Sequence, residues 1–280
     1  MRNFVLRFPG GLKKAMTFSY DDGVMQDVRL SSLMKKHGVK ATFNVNSHMY
    51  RKTDAPEGYL SLEELKAISD DENFEIACHG HVHPLYTFMP QAAVTDDMMI
   101  NRKFLEKQTG KMVRGFAYPS LSAYNDTSEL SLKSTGIVYA RLANNLKNFF
   151  IPENWHRWEP SCHHNEAPEL FEIFKGDLPG IKPMIMYVWG HSYEFDRQNN
   201  WELIEGLLEE CSKTTDIWYA TNMEIYNYVN AFKQLVFSAD GTFVHNPTAI
   251  TLWGVLDGNK KTGAGKIMEI APGETVELHL

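Results

Sequence analysis

The chain has 280 residues, 43% of them hydrophobic and 22% charged, the balance of a soluble globular protein able to form one large α/β domain or a domain with a small appendage. Its 28 Lys and Arg against 35 Asp and Glu leave a formal net charge of −7, which argues against a nucleic-acid or anionic-membrane surface. The 3 cysteines, Cys78, Cys162 and Cys211, lie far apart with no C-x-x-C pair, and so indicate neither a disulfide framework nor a thiolate zinc site.

The opening MRNFVLRFPGGLKK holds too short an apolar run, broken by Arg7, for a signal peptide. No stretch approaches the roughly 20 apolar residues of a membrane span, and a cytoplasmic protein is the expectation. Residues 14–20 read as a strand that ends on Asp21-Asp22-Gly23. Two adjacent carboxylates repel, so the pair asks for a cation, a proton-transfer role or an ordinary solvated turn. Residues 27–37 carry helical apolar spacing (Val28, Leu30, Leu33, Met34) and close at Gly38. Residues 41–45 form the next strand, and Ser61-Leu-Glu-Glu64 is a capping box opening a helix toward Ile68. A strand over 75–78 and a helix over 95–108, stopped at Gly110, follow. Short strands at 115–118 and 138–140 flank a helix that ends before Gly136.

Residues 183–189, PMIMYVW, are a continuous apolar run suited to a strand buried on both faces. An amphipathic helix over 200–212, a strand over 217–220 and a helix over 222–235 complete the pattern. Strands alternating with helices predict an α/β fold with about seven parallel strands, open or closed into a barrel. Past Gln234, turn signals at Asp240-Gly241, Asp257-Gly258 and Pro272-Gly273 separate strand-like alternation. Residues 1–234 are therefore expected to form the α/β unit, and residues 235–280 a small β-rich segment.

The chemistry concentrates at strand ends. In EIACHGHVHP (75–84), one helical turn would bring His79 and His83 to one face, whereas an extended segment would put His81 on their side as well. Two imidazoles and a carboxylate make a hydrolytic zinc set with positions open for water. Parallel barrels gather their sites at the C-terminal ends of strands, where Asp21-Asp22 also falls. In YVWGHSYEF, His191 follows the buried strand at the same rim, where a hydrolase needs an acid for its leaving group. Cys162-His163-His164 could suggest a second metal site, but its spacing matches no standard signature and it reads as structural or surface. Trp155, Trp158, Trp189, Trp201 and Trp218 suit either the core or a sugar-stacking platform.

Asp21-Asp22-Gly23, His79-x-x-x-His83-Pro84, RGFAYP (114–119) and the strand leading to His191 come in an order that resembles the polysaccharide deacetylases, carbohydrate esterase family 4, over about residues 12–232. The resemblance implies a distorted (β/α) barrel and metal-dependent removal of an N-acetyl group from an amino sugar, oligosaccharide or glycan. It implies that Asp22, His79 and His83 hold one divalent ion, with zinc first and cobalt, nickel or iron also suiting the set. By the same resemblance Asp21 is the catalytic base, His191 the acid, and a backbone N–H near Ser120 part of the oxyanion site. Tyr118, Trp189, Trp218 and Arg114 are the candidate substrate-binding residues.

Two departures stand out. The Arg slot of the third motif holds Ala117, which leaves Arg114, Arg141 or Arg157 to reach Asp21 from elsewhere. The fourth motif has two candidate stretches, ENWHRWEP (153–160) and DIWYATN (216–222). The alternatives are an amidase of the same barrel acting on a small cyclic or linear amide, and a carbohydrate-binding protein without catalysis. The expected partner is an N-acetylated carbohydrate or small amide, with no nucleic acid and no membrane. A homo-oligomer is left open.

Overall fold

The architecture is built around one long strand, β2 (Lys14–Asp22), in a computed structural model that describes residues 3–48, 58–120 and 123–278. All of β2 but Asp22 is buried, as befits a parallel strand covered on both faces. One edge of β2 pairs over Lys14–Tyr20 with β8 (Met184–Gly190). Its other edge is shared, since β9 (Ile217–Tyr219) takes Lys14–Met16 and β3 (Ala41–Val45) takes Ser19–Asp22. Beyond β3 come β4 (Phe74–Cys78), β5 (Gly115–Ala117) and β6 (Tyr139–Arg141), and beyond β8 lies β7 (Cys162–His163).

Among the described residues this sheet has eight strands, and every pairing in it is parallel. The chain from β6 to β7 links its two edges. Trp158 N donates to Ala140 O at 2.9 Å, and Ser161 N then donates to Tyr187 O at 2.8 Å. The sheet is thus curled into a half-barrel, in line with the expected α/β barrel of parallel strands. The strand not anticipated, β7, has two residues and is too short for alternation to register.

Among the described residues eight α-helices pack around the sheet: α1 (Gln26–Lys36), α2 (Leu62–Asp70), α3 (Gln91–Thr109), α4 (Asp126–Ser134), α5 (Ala167–Lys175), α6 (Tyr193–Gln198), α7 (Trp201–Lys213) and α8 (Asn222–Phe232). The capping box of α2 forms, with Ser61 and Glu64 each bonding the other's backbone N–H. Leu30 and Met34 of α1, Leu65 of α2, and Ile204 and Leu208 of α7 enter one core with Phe18, Phe43 and Val188. Each such side chain contributes about 1.5–3 kcal/mol on burial. The inner face of α3 differs, because Asp97 and Asn101 are buried there beside Val94, Met98 and Leu105.

The C-terminal residues form antiparallel strands, as the turn signals predict. β10 (Val236–Phe237), β11 (Phe243–His245) and β14 (Thr275–Glu277) make one small sheet. β12 (Leu252–Leu256) pairs with β13 (Lys266–Ile270) and, on its other edge, with β1 (Phe4–Arg7) from the start of the chain. A second core joins Leu6, Phe8 and Tyr187 to Tyr228, Val244, Leu252 and Ile270. Arg7 is buried in it, and its guanidinium donates to Ile181 O and Gly263 O, each at 2.9 Å. Among the described residues no helix is long and apolar enough to cross a membrane.

Candidate active site

The C-terminal end of β2 delivers two adjacent carboxylates to opposite environments. Asp21 is buried and accepts from Asn44 Nδ2 at 2.8 Å, its register partner on β3. It also accepts from Arg141, whose wholly buried guanidinium reaches it from the end of β6. Burial pushes the Asp21 carboxyl up, but Arg141, with His191, outweighs it and holds the group below the usual carboxylate range.

Asp22 leaves the strand in the left-handed region, at φ 80°. Its Oδ1 lies 3.6 Å from His79 Nε2 and 3.6 Å from His83 Nε2. His83 is also left-handed, at φ 55°. Such backbone costs of order 1–3 kcal/mol outside glycine and persists where the surroundings over-determine it.

His79 follows β4 and is fully buried. Its Nδ1 is 2.8 Å from Ala117 O, and a carbonyl only accepts, so the proton sits on Nδ1 and the Nε2 lone pair is free. Burial, the largest influence, lowers the imidazole pKa despite Asp21 and Asp22, so the ring is neutral. Its Nε2 has no hydrogen-bond partner among the described residues. A buried lone pair aimed at a carboxylate and a second imidazole is unsatisfied by protein groups alone and suits a cation. Asp22, His79 and His83 could hold such an ion.

His81 turns away, with Nδ1 2.8 Å from Ser47 Oγ and its ring against His48. The turn that separates it from its neighbours needs Gly80 at φ 81°, where a Cβ would come within 2.6 Å of Tyr86 Oη. Buried polar groups hold this turn. Asp97 accepts from the backbone N–H of His81 (2.9 Å) and Val82 (3.2 Å) and from Tyr86 Oη (2.7 Å). Asn101 accepts from His79 N at 3.0 Å, and Asn46 donates to His79 O at 2.6 Å. Sequence reasoning missed all three. The available signal was an Asp and an Asn four residues apart on the buried face of a helix.

His191 follows β8, with Nε2 4.0 Å from Asp22 Oδ2 and Nδ1 2.7 Å from Glu194 Oε1. Burial depresses its pKa, but the Glu194 hydrogen bond, Asp21 and Asp22 together raise it. The neighbouring Ser192 donates to buried Asp27 Oδ1 at 2.6 Å, and Asp27 Oδ2 accepts from Val24 N at 3.1 Å. The first turn of α1 thereby ties the Asp22 loop to the His191 loop.

The other sequence candidates divide. Trp189 is at the site, stacked against the Arg141 guanidinium at 4.7 Å and donating from Nε1 to Asn145 Oδ1 at 2.8 Å. Ser120 is half-buried in the loop after β5, three residues past the carbonyl that anchors His79. The Tyr118 ring is buried in the core against Phe116 and Tyr124.

Arg114 and Trp218 are not brought to this rim. Arg114 is exposed before the start of β5, at the opposite end of the strand, with Nε 3.4 Å from Gly136 O. Trp218 is paired with Ala15, roughly 20 Å upstream of Asp21 at ~3.3 Å per residue. It packs on Phe8 and Tyr228. Arg157 pairs with Glu129 and Asp126, so of the three arginines weighed from sequence Arg141 is the one at Asp21. In the two fourth-motif stretches, Trp155 and Trp158 are buried against each other, and residues 216–222 run through β9 away from the rim.

Residues 10–140 match the family model described as polysaccharide deacetylase, a stretch that spans β2 to β6 and both the Asp21-Asp22 and His79–His83 motifs. That match covers a little under half of the chain, and over it the chain resembles that family of hydrolases. No curated protein matches the sequence closely enough to count as a relative. Among solved structures, the fold is similar to a candidate polysaccharide deacetylase from Mycobacterium smegmatis, at 16% identity, TM-score 0.61, and coverage of 83% of this chain and 96% of that one. It is similar to a mutant Bacillus anthracis CE4 family pseudoenzyme with restored enzymatic activity, at 18% identity, TM-score 0.51, and coverage of 79% and 69%. The Streptococcus pyogenes deacetylase PplD in complex with acetate is 23% identical with TM-score 0.42, over 45% of this chain and 55% of that one, so the match spans about half of that protein. At these identities the likeness is one of fold, and activity has to be argued from the site.

Proposed function

We propose that this polysaccharide deacetylase-type hydrolase removes an N-acetyl group from an amino sugar, oligosaccharide or glycan, using one divalent cation held by Asp22, His79 and His83. The observation that carries the reading is the buried, partnerless Nε2 of a His79 whose other nitrogen is anchored on Ala117 O. Two imidazoles and one carboxylate suit zinc first, with cobalt, nickel and iron also compatible. When bound, the cation would lower the pKa of water toward neutrality and polarise the amide carbonyl.

The remaining chemistry belongs to side chains. Asp21 takes the proton of the attacking water. Arg141 and Asn44 hold both of its oxygens, and the lowered pKa keeps it ionised at neutral pH at some expense of basicity. His191 gives a proton to the departing amine, and Glu194 on its Nδ1 keeps that proton available. A backbone N–H near Ser120 stabilises the oxyanion. Trp189, held by Arg141 and Asn145, offers an aromatic face to a pyranose. A binding protein without catalysis would have no use for Asp21, Asp22, His79, His83 and His191 together.

A small-amide substrate is the second reading. It is favoured by Val82, Leu85 and Phe88, which flank His83 in the sequence, stand 45%, 46% and 81% exposed and offer nothing to sugar hydroxyls. The deciding experiment is acetate release from N-acetylated sugars and from small amides after metal reconstitution. Asp21→Asn should keep its metal and lose turnover, and Asp22→Ala should lose both. Turnover in Asp21→Asn at the wild-type rate would defeat the assignment.

A further inference from the structure

Beside the Asp22 cluster stands another, centred on Glu194. Its Oε1 is 2.7 Å from His191 Nδ1, and its Oε2 is 3.3 Å from His163 Nε2. One donor atom from each of His163, His191 and Glu194 lies within 4.8 Å of the others. These residues come from three places, the end of β7, the residue after β8 and the first turn of α6. Strand pairing of β7 with β8, His163 opposite Trp189, therefore builds the cluster.

A second observation points at the same spot. His164 is fully buried, its Nε2 is 3.4 Å from Glu194 Oε2, and neither ring nitrogen has a hydrogen-bond partner among the described residues. Burial drives its pKa down to about 3, so it is a neutral ring and not a counter-ion for Glu194. Leaving a polar ring unsatisfied costs about 1–3 kcal/mol, yet the fold makes room for it. Gly190 packs so closely on His164 that a Cβ there would overlap the ring.

We propose a second divalent-cation site formed by His163, His191 and Glu194, with His164 lying against it. The donors are two imidazoles and a carboxylate, the same types as at Asp22, so a zinc-like ion is the ligand class. This ion displaces the proton that His191 Nδ1 shares with Glu194. Occupancy and the acid form of His191 exclude each other, so excess cation slows turnover. The inhibition rests on the acid role given to His191 above, and the binding itself does not. The second ion binds more weakly than the first, because it competes with that proton and faces a neighbouring dication.

The test is to titrate the metal-free full chain with zinc and count bound ions by equilibrium dialysis with elemental analysis. Wild type should take up two ions. His163→Ala and Glu194→Gln should keep the tight one and lose the weak one, and Asp22→Ala should do the reverse. Far-UV circular dichroism checks folding, and His163→Asn replaces any His163→Ala protein that fails it. The ratio of acetate release with and without excess zinc should fall in wild type, by up to about the 10²–10⁴ of a lost general acid, and stay near unity in His163→Ala. Saturation of wild type at one ion that Asp22→Ala abolishes, or two ions retained by both His163→Ala and Glu194→Gln, would overturn the proposal. A single ion lost with His163→Ala but kept by Asp22→Ala would instead support this site and remove the one at Asp22.

Discussion

Arg141, at the end of β6, donates to Asp21 at the end of β2, four strand pairings away across the curled sheet. Both groups are buried, so each satisfies a charge that neither could keep alone. Replacing Arg141 by Met strands a carboxylate and should cost about 3–5 kcal/mol of stability. Arg141→Lys keeps the charge but loses the planar fork and the stacking on Trp189. We expect it to lower turnover at least about tenfold, the scale of one misplaced charge-assisted hydrogen bond, with metal content unchanged. Acetate release and elemental analysis read the two quantities, and a Lys variant with the wild-type rate would contradict the orienting role.

Asp27 sets a pH dependence of stability. Burial, followed by the charges of Asp22 and Asp21, raises its pKa from 3.8 to about 8, against the opposing hydrogen bonds of Ser192 and Val24. For an acid whose folded pKa lies above its unfolded one, stability is full below about pH 4 and falls as the pH rises toward 8, because only the unfolded chain releases the proton in that window. The loss is on the order of a few kcal/mol. Asp27→Asn cannot ionise, and its Oδ1 can accept from Val24 N–H while its Nδ2 donates to Ser192 Oγ, so urea unfolding should give a flatter stability profile between pH 5 and 8. Parallel profiles for the two proteins would refute the shift.

His191→Ala should slow amide hydrolysis by about 10² to 10⁴. An activated aryl ester, whose leaving group needs no proton, should suffer far less. Equal losses on both substrates at unchanged metal content would leave His191 an orienting role only.

Asp97→Ala removes the acceptor of two backbone N–H groups and the Tyr86 hydroxyl from beneath the His79–His83 turn. Supports of this kind typically alter metal affinity by about 10–100-fold. Competition with a chelator should detect that weakening, and the turnover of fully loaded protein should change less than its affinity. Unchanged affinity in a folded variant would mean that the turn holds without Asp97.

Much of the fold was legible because its determinants are local. β8 is a long apolar run, helices α2 and α7 carry caps or a 3.6-residue apolar stripe, and alternation of strands with helices leaves a parallel sheet as the economical solution. In such a sheet strand ends share one rim, so residues at or directly after strand ends, such as Asp21, Asp22, His79 and His191, were identifiable as candidates from position and residue type. Arg114 and Trp218 were plausible by type as well, but each belongs to the far end of its strand.

What tertiary structure alone decided depends on approach between segments remote in sequence. Which arginine meets Asp21 follows from the curl that brings β6 back toward β2, and no local spacing encodes that distance. That His81 leaves the cluster while His83 stays is set by left-handed Gly80 and His83, pinned from α3 by Asp97 and Asn101. The union of β1 with β12 brings residues 4–7 to residues 253–256, a pairing hidden by Arg7, whose charge is buried against the carbonyls of Ile181 and Gly263. His163 at the end of β7 acquires Glu194 only through the pairing of β7 with β8. Periodicity is written along the chain, where the backbone geometry repeats every two or 3.6 residues. Contacts across the barrel depend on strand order and sheet curvature, which arise from packing the whole core at once.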